Sequence, residues 1–263
     1  MYKLNKNDMN NISPLFQGWE ETLIWSCLQG YMGNAWADRN ENPQSAQIIV
    51  GDFCFFAGVP DLELVQNIPL LFEPDYILMV PQNEEWGVLI EQEYKDSYNK
   101  FMRYAIKKEP EVFDRSKLTA YIENLPTDYI IKMIDEELFN KCRSEQWSQD
   151  LCSQFSSYSK YKKNGLGAVI LYQDELVSGA SSYAVYKDGI EIEIDTKPEY
   201  QRRGLALVCA SKLILECLNR NLYPSWDAAN KESVALSQKL GYRFDKEYVT
   251  YSVKARQKKK ERY

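Results

Sequence analysis

Apolar residues recur along the chain in two rhythms, and the places where the rhythm changes mark out the elements. Between Gly18 and Gly30, Trp19, Leu23, Ile24, Cys27 and Leu28 stand at helical spacing, which predicts an amphipathic helix. Ser45 to Gly58 (SAQIIVGDFCFFAG) reads as two strands about a tight Gly-Asp turn. Tyr76 to Val80 is a short apolar strand that Pro81 should stop. From Gly87 to about Lys108 the spacing predicts one long helix, closed by Lys107-Lys108-Glu109-Pro110. Residues 109–126 place Pro110 and Pro126 around a short helix at 116–124 and read as the connection between two halves.

In the second half, Tyr129 to Ile134 is a strand and 135–163 holds one or two helices. Strands at 166–172 and 175–186 follow, with turns at Gln173-Asp174 and Lys187-Asp188-Gly189. A strand at 190–196, a helix at 203–220, a short strand at 225–227, a helix at 231–239 and closing strands at 242–253 complete the pattern. This order predicts a layered α/β fold with a mixed, mainly antiparallel sheet flanked by helices. The expected organisation is an N-terminal α/β domain over 1–115, a second domain over 116–253, and a solvated charged tail at 254–263 (KARQKKKERY).

Composition narrows the function classes. The net charge of −6 argues against generic affinity for nucleic acid or an anionic membrane. Met1 to Asn10 lacks the apolar core of a signal peptide, and no apolar run has membrane-span length, so a cytoplasmic location is expected. The six cysteines form no C-x-x-C pair, which favours reduced, buried thiols over disulfides or zinc; no metal site is expected. The chain has no histidine, so any general base must be Asp, Glu, Tyr, Lys, a thiolate or relayed water.

The chemistry concentrates after the strand at 190–196. There Ile190, Ile192 and Ile194 alternate with Glu191, Glu193 and Asp195, until Pro198 ends the strand. Gln201-Arg202-Arg203-Gly204-Leu205-Ala206 then opens the helix at 203–220. Free backbone N–H groups at a helix N-terminus form an anion site, Gly204 allows close approach, and Arg202 and Arg203 add positive charge.

Gln201 to Ala206 resembles the Q/R-x-x-G-x-G/A signature of the GNAT acetyltransferase superfamily, between its fourth strand and the helix that carries CoA. Ser225 to Phe244 is similar to that family's next motif, with Asn230, Leu236, Lys239 and Gly241 aligned and Tyr242 in the aromatic place. The chain as a whole resembles a bacterial GNAT subfamily that includes zwittermicin-resistance-type acetyltransferases. The resemblance implies acetyl-CoA as co-substrate and a primary amine, of a small molecule rather than a protein lysine, as acceptor. It implies that backbone groups of Ile194, Asp195 and Thr196 meet the pantetheine arm. Gln201, Arg202, Arg203, Gly204, Leu205 and Ala206 would hold the diphosphate, and Asn230, Ser233 and Ser237 would contact CoA. The base is expected to be Glu193 or Glu191. Ser237 stands where the family often has a tyrosine acid, so a water or another tyrosine, Tyr242 or Tyr183, would have to substitute, or the thiolate would leave unassisted. The alternative reading is a CoA-binding sensor or scaffold without catalysis.

The first half echoes the second. Pro81 to Gly87 repeats the Pro-to-Gly spacing of Pro198 to Gly204, and Ala46 to Gly58 roughly parallels Ala168 to Gly179. One reading is a degenerate GNAT-like half that could not bind CoA in the same way, because Glu84, Glu85 and Trp86 replace the basic residues; the other is a chance recurrence of strand, Pro, turn, Gly and helix, common in α/β proteins.

Overall fold

The computed structural model describes residues 1–69, 72 and 75–254, so the expected tail falls, from residue 255 on, outside the described residues. The chain forms two compact units, Met1–Arg103 together with the stretch from Glu247, and Tyr104–Lys246.

The first unit opens with β1 (Tyr2–Lys3), α1 (Met9–Ile12), α2 (Thr22–Leu28), β2 (Asn34–Ala37), β3 (Ser45–Val50) and β4 (Phe53–Gly58). It continues with α3 (Leu62–Gln66), β5 (Tyr76–Pro81), α4 (Glu84–Tyr94) and most of β6 (Tyr98–Ile106). The second unit contains α5 (Arg115–Glu123), β7 (Tyr129–Met133), α6 (Glu136–Ser144), α7 (Tyr158–Asn164), β8 (Gly167–Tyr172), β9 (Glu175–Tyr186) and β10 (Gly189–Thr196). After these come α8 (Leu205–Asn219), β11 (Tyr223–Ser225), β12 (Asp227–Ala228) and α9 (Lys231–Leu240). The last strand, β13 (Phe244–Lys254), returns to the first unit, where it pairs antiparallel with β5.

The two units share a strand order. In the first, β1 to β4 form an antiparallel run and β5 lies parallel to β4 after the crossover α3. In the second, β7 to β10 form an antiparallel run and β11 lies parallel to β10 after the crossover α8. This order corrects the alignment expected from the sequence. The counterpart of the turn before α8 is the Gly58–Asp61 turn before α3, whereas Pro81 to Gly87 leads into α4 and answers the start of α9. The likeness there is direct: Asn83 caps α4 by accepting from Trp86 N, and Asn230 caps α9 by accepting from Ser233 N.

The long helix expected over 87–108 is the main error of the periodicity. Its first part is α4, which ends where Lys95 takes a positive φ of 42°. The rest is strand β6, placed beside β13 in the first unit's sheet. A short apolar run fits helix and strand equally, and here the choice rests on a partner strand about 150 residues away, which local pattern cannot report. The expected helix at 18–30 is also trimmed. Gly18 turns the chain at φ 79°, and α2 begins only after Glu21, whose carboxylate accepts from Leu23 N. Pro81, expected to stop β5, is its last residue.

The first core is aromatic. Trp86 is fully buried, stacks on Phe56 at 5.0 Å and donates its indole N–H to Gly58 O at 2.9 Å. In the second unit, the hairpin between β8 and β9 turns through Gln173 and Asp174, both with positive φ, at the turn that the sequence marked. The glycine of that unit with the least room is Gly189, where a Cβ would lie 2.1 Å from Tyr223 O.

All six cysteines are buried free thiols, and burial pushes Cys27, Cys209 and Cys217 up to about 12. Thiol reactivity requires thiolate and access. The folded protein is expected to give no fast phase with a chromogenic disulfide reagent at pH 8, and all six thiols on unfolding; one rapidly titrating thiol in the folded state would contradict this.

Candidate functional site

The site is built where β10 parts from β11. Their parallel pairing covers only Gly189–Glu191 and Tyr223–Ser225, so it ends four residues before β10 reaches its last strand residue but one, Asp195. Beyond it the chain turns at the buried Trp226, and β12 pairs instead with Tyr104 and Ala105. Trp226 is fixed by its indole N–H to Ser233 Oγ at 3.1 Å and by its ring against Tyr242 at 5.5 Å. The edge of β10 from Ile192 to Thr196, which includes the expected Ile194, Asp195 and Thr196, therefore runs free of β11. A backbone edge of this kind can take a ligand as a pseudo-strand.

The turn after β10 is shaped by two left-handed residues, Arg202 at φ 61° and Gly204 at φ 82°. Gly204 is the N-cap of α8, and no side chain caps that helix. The contrast with its neighbours is informative. Glu21, Asp61, Asn83, Asp114, Asp135, Ser157 and Asn230 each accept from the first turn of α2, α3, α4, α5, α6, α7 and α9. A side-chain cap is worth roughly 0.5–2 kcal/mol, so leaving α8 without one keeps its first N–H groups for another acceptor. A Cβ built on Gly204 would meet nothing within 4 Å, which makes the space before the turn open.

The two arginines divide their tasks. Arg203 lies over the Tyr200 ring at 4.7 Å and donates to Glu199 O at 2.8 Å and to Tyr129 Oη at 3.4 Å. It braces the turn from within. Tyr200 and Lys197 in turn both donate to Glu175, which pins the segment to the start of β9. Arg202 is exposed beside the open space. Gln201 donates to Thr196 O at 3.3 Å and closes the loop on itself.

Three carboxylates on β10 separate by environment. Glu191 is buried at 5% exposure, where the β9 register shifts. Glu193 and Asp195 are half-buried and stand opposite Ser181 and Gly179 of β9. Ser181 Oγ bonds Tyr161 Oη of α7 at 2.8 Å, and a Cβ on Gly179 would lie 2.5 Å from Leu151 Cδ1. The face bearing Glu193 and Asp195 is thus the one covered by α7 and by the connection that carries Asp150 and Leu151. Burial, then the Asp150 carboxylate, push the Asp195 carboxyl up to about 6. Glu193 Oε1 accepts from Ile194 N at 3.2 Å.

Several expectations change. Tyr242 is buried and donates its hydroxyl to Pro224 O, so it is held as a structural tyrosine and its proton is not presented to the gap. Tyr183 is buried as well. Ser237 is fully buried and donates to Val234 O within its own helix. Asn230 and Ser233 form the cap of α9, with Ser233 also holding Trp226. Asp195 was expected to act only through its backbone; its place in the run of alternating acids was the available signal for a side-chain role. Asp150 was missed, because its approach to β10 is made by tertiary packing across 45 residues of sequence.

An antiparallel four-strand run, a parallel fifth strand splayed from the fourth, and an uncapped helix after the fourth define an acyltransferase of the CoA-binding type. The profile of the GNAT acetyltransferase family matches residues 13–251, and the chain belongs to that family. It is similar to the N-acetyltransferase YdfB of Bacillus subtilis (strain 168), at 28% identity over 95% of this chain and 98% of that one. The crystal structure of a GCN5-related N-acetyltransferase-like protein from Streptococcus suis 89/1591 is 43% identical, with a TM-score of 0.89 over 94% of this chain and 99% of that one. A tandem GNAT protein from the clavulanic acid biosynthesis pathway shares the fold, at 8% identity and a TM-score of 0.59 over 96% and 97% of the two chains. Enzymes of this family use acetyl-CoA as co-substrate. Among the described residues no group of three or more His, Cys, Asp or Glu side chains could hold a metal ion, and no helix is long and apolar enough to cross a membrane.

Asp195 also makes a stability prediction. Its folded value of about 6 lies above the 3.8 of an unperturbed aspartate, so between these values the folded state holds the extra proton. Its contribution to stability is therefore full below about pH 4 and is lost as the pH rises to about 6. Asp195→Asn is expected to gain stability over the parent protein across that window and to hold a constant gain above it. Denaturant titrations from pH 4 to 8 read this directly; a gain that shrinks with rising pH would refute it.

Proposed function

We propose that the second unit transfers the acetyl group of acetyl-CoA to a primary amine on a small molecule. The observation that carries this reading is the uncapped α8 N-terminus, with Gly204 and Arg202 left-handed before it, beside the length of β10 that has parted from β11. The N–H groups of Leu205 and Ala206 and the Arg202 guanidinium would take the diphosphate, with Arg203 holding the turn in shape. The edge of β10 at Ile194 to Thr196 would hold the pantetheine arm.

Asp195 is the proposed base, with Glu193 beside it. Near neutral pH a carboxyl with a pKa of about 6 is mostly ionised yet more basic than an ordinary aspartate, which suits removal of a proton from an ammonium ion. The freed amine lone pair attacks the acetyl carbonyl carbon, the C–S bond breaks, the nitrogen sheds its second proton to water as the amide forms, and CoA departs as a thiolate that takes up a proton. A thiol has a pKa of roughly 8.5, so water suffices as proton source near neutral pH. On this account the serine at 237 is no obstacle to catalysis. The shared strand order and the matching caps at Asn83 and Asn230 further support the first unit as a degenerate repeat of the second.

Free-thiol release from acetyl-CoA across a panel of small primary amines tests the activity. Turnover is expected with at least one, with kcat/KM rising through about pH 6 and that rise absent in Asp195→Asn. Tight CoA binding without turnover on any amine would favour the sensor. The donor site has its own test: Arg202→Ala, at an exposed position, should weaken acetyl-CoA at least fivefold, about 1 kcal/mol. Gly204→Val, which places a branched side chain in the open space, should weaken it further. Unchanged affinity in both variants would move the diphosphate elsewhere.

A further inference from the structure

The first unit holds a cleft of its own, of about 570 Å³, between the turn at Ser13–Phe16 and α2. Small-molecule sites span roughly 300–1,000 Å³, so the volume suits one modest ligand. Its walls are Phe16, Trp19, Trp25 and Leu28, with Gln17 and Glu20 among the polar positions. The aromatic wall is braced: Trp19 stacks on Phe16 at 6.2 Å and meets Phe55 edge-on at 5.8 Å. Gly18, at φ 79°, has open space where a Cβ would stand, so the chain between the two rings leaves the cleft clear. Trp25 is half-buried on a helix whose other side is anchored by the buried Leu23, Ile24 and Cys27.

The charge of the lining is one-sided. Glu20 is its one ionisable residue, and none of the lining residues is basic. An anion would meet a carboxylate and the negative faces of indole rings, and a neutral apolar ligand would gain nothing from the exposed Glu20. A cation bearing apolar substituents gains from both, because indole faces attract ammonium groups and the carboxylate neutralises them.

The same unit is closed to the acyl donor. The turn that corresponds to Gln201–Gly204 ends at Asp61, whose carboxylate accepts from Leu64 N and occupies the start of α3. A diphosphate there would have to displace a negative group, on a helix of only five residues. We propose that the first unit binds a small organic ammonium ion between Trp19, Trp25 and Glu20, as a binding site without acetyl transfer.

Choline is the probe, because its nitrogen carries no hydrogen and cannot be acetylated; its neutral carbon isostere, with a tert-butyl group for the trimethylammonium group, is the control. Ligand-observed NMR and calorimetry on the full chain should show saturable choline binding and at least tenfold weaker binding of the isostere. Glu20→Gln and Trp25→Ala should each weaken choline at least fivefold, while Trp25→Phe should retain most of it. Acetyl-CoA affinity should not move in Glu20→Gln, which separates this site from the transfer site. Choline binding no better than its isostere, or unchanged in Glu20→Gln, would overturn the proposal; that exposed substitution decides the matter even if Trp25→Ala fails to fold.

Discussion

The parting of β10 from β11 is the constraint on which the proposed transfer site depends. A parallel pair that stops at Glu191 and Ser225 leaves the following backbone of β10 in need of partners, since buried N–H and C=O groups are costly when unmet. What forces the parting is the buried Trp226, directly after β11, which redirects the chain into β12. Its indole N–H is taken by Ser233, and the α9 cap at Asn230 holds Ser233 in turn. The motif around Asn230 thus serves the site through geometry: it keeps the wedge in place rather than touching the donor with each of its side chains.

The turn shows the same division. Gly204 supplies conformation, Arg202 supplies exposed charge, and Arg203 supplies rigidity through Tyr129, Tyr200 and Glu199. A turn with positive φ at a non-glycine residue carries strain of roughly 1–2 kcal/mol, and Lys197 and Tyr200, both bound to Glu175, tie the segment before it to β9. The order of Gln201 to Ala206 is in this sense a folding instruction as well as the proposed binding one.

Much of this was legible from the residues. Most elements from Tyr129 on follow from alternation, turn residues and caps; the exception is the single short strand expected at 225–227, which Trp226 divides into β11 and β12. The turn at Gln201 to Gly204 and the helix after it were legible in the same way. Three things were not. Strand β6 resembles the end of a helix until β13 is beside it. The burial of Tyr242 and Ser237 depends on packing against Pro224 and within α9 rather than on their motif positions. The environment of Asp195 depends on Asp150, which only the fold brings near. Local chemistry was readable, and the protonation states and orientations that long-range packing sets were not.

The two crossover turns make the strongest physical comparison within the chain. Each follows the fourth strand of its unit and opens a helix that leads to a parallel fifth strand. In one, Asp61 fills the helix N-terminus with its own carboxylate; in the other, Gly204 leaves that terminus uncapped. The difference is a single acceptor. A self-capped helix is more stable alone and has no use for an anion, whereas an uncapped one gains most when a phosphate arrives. The same strand order can therefore hold one unit that keeps its helix dipole satisfied internally and another whose helix N-terminus stays open to an anion.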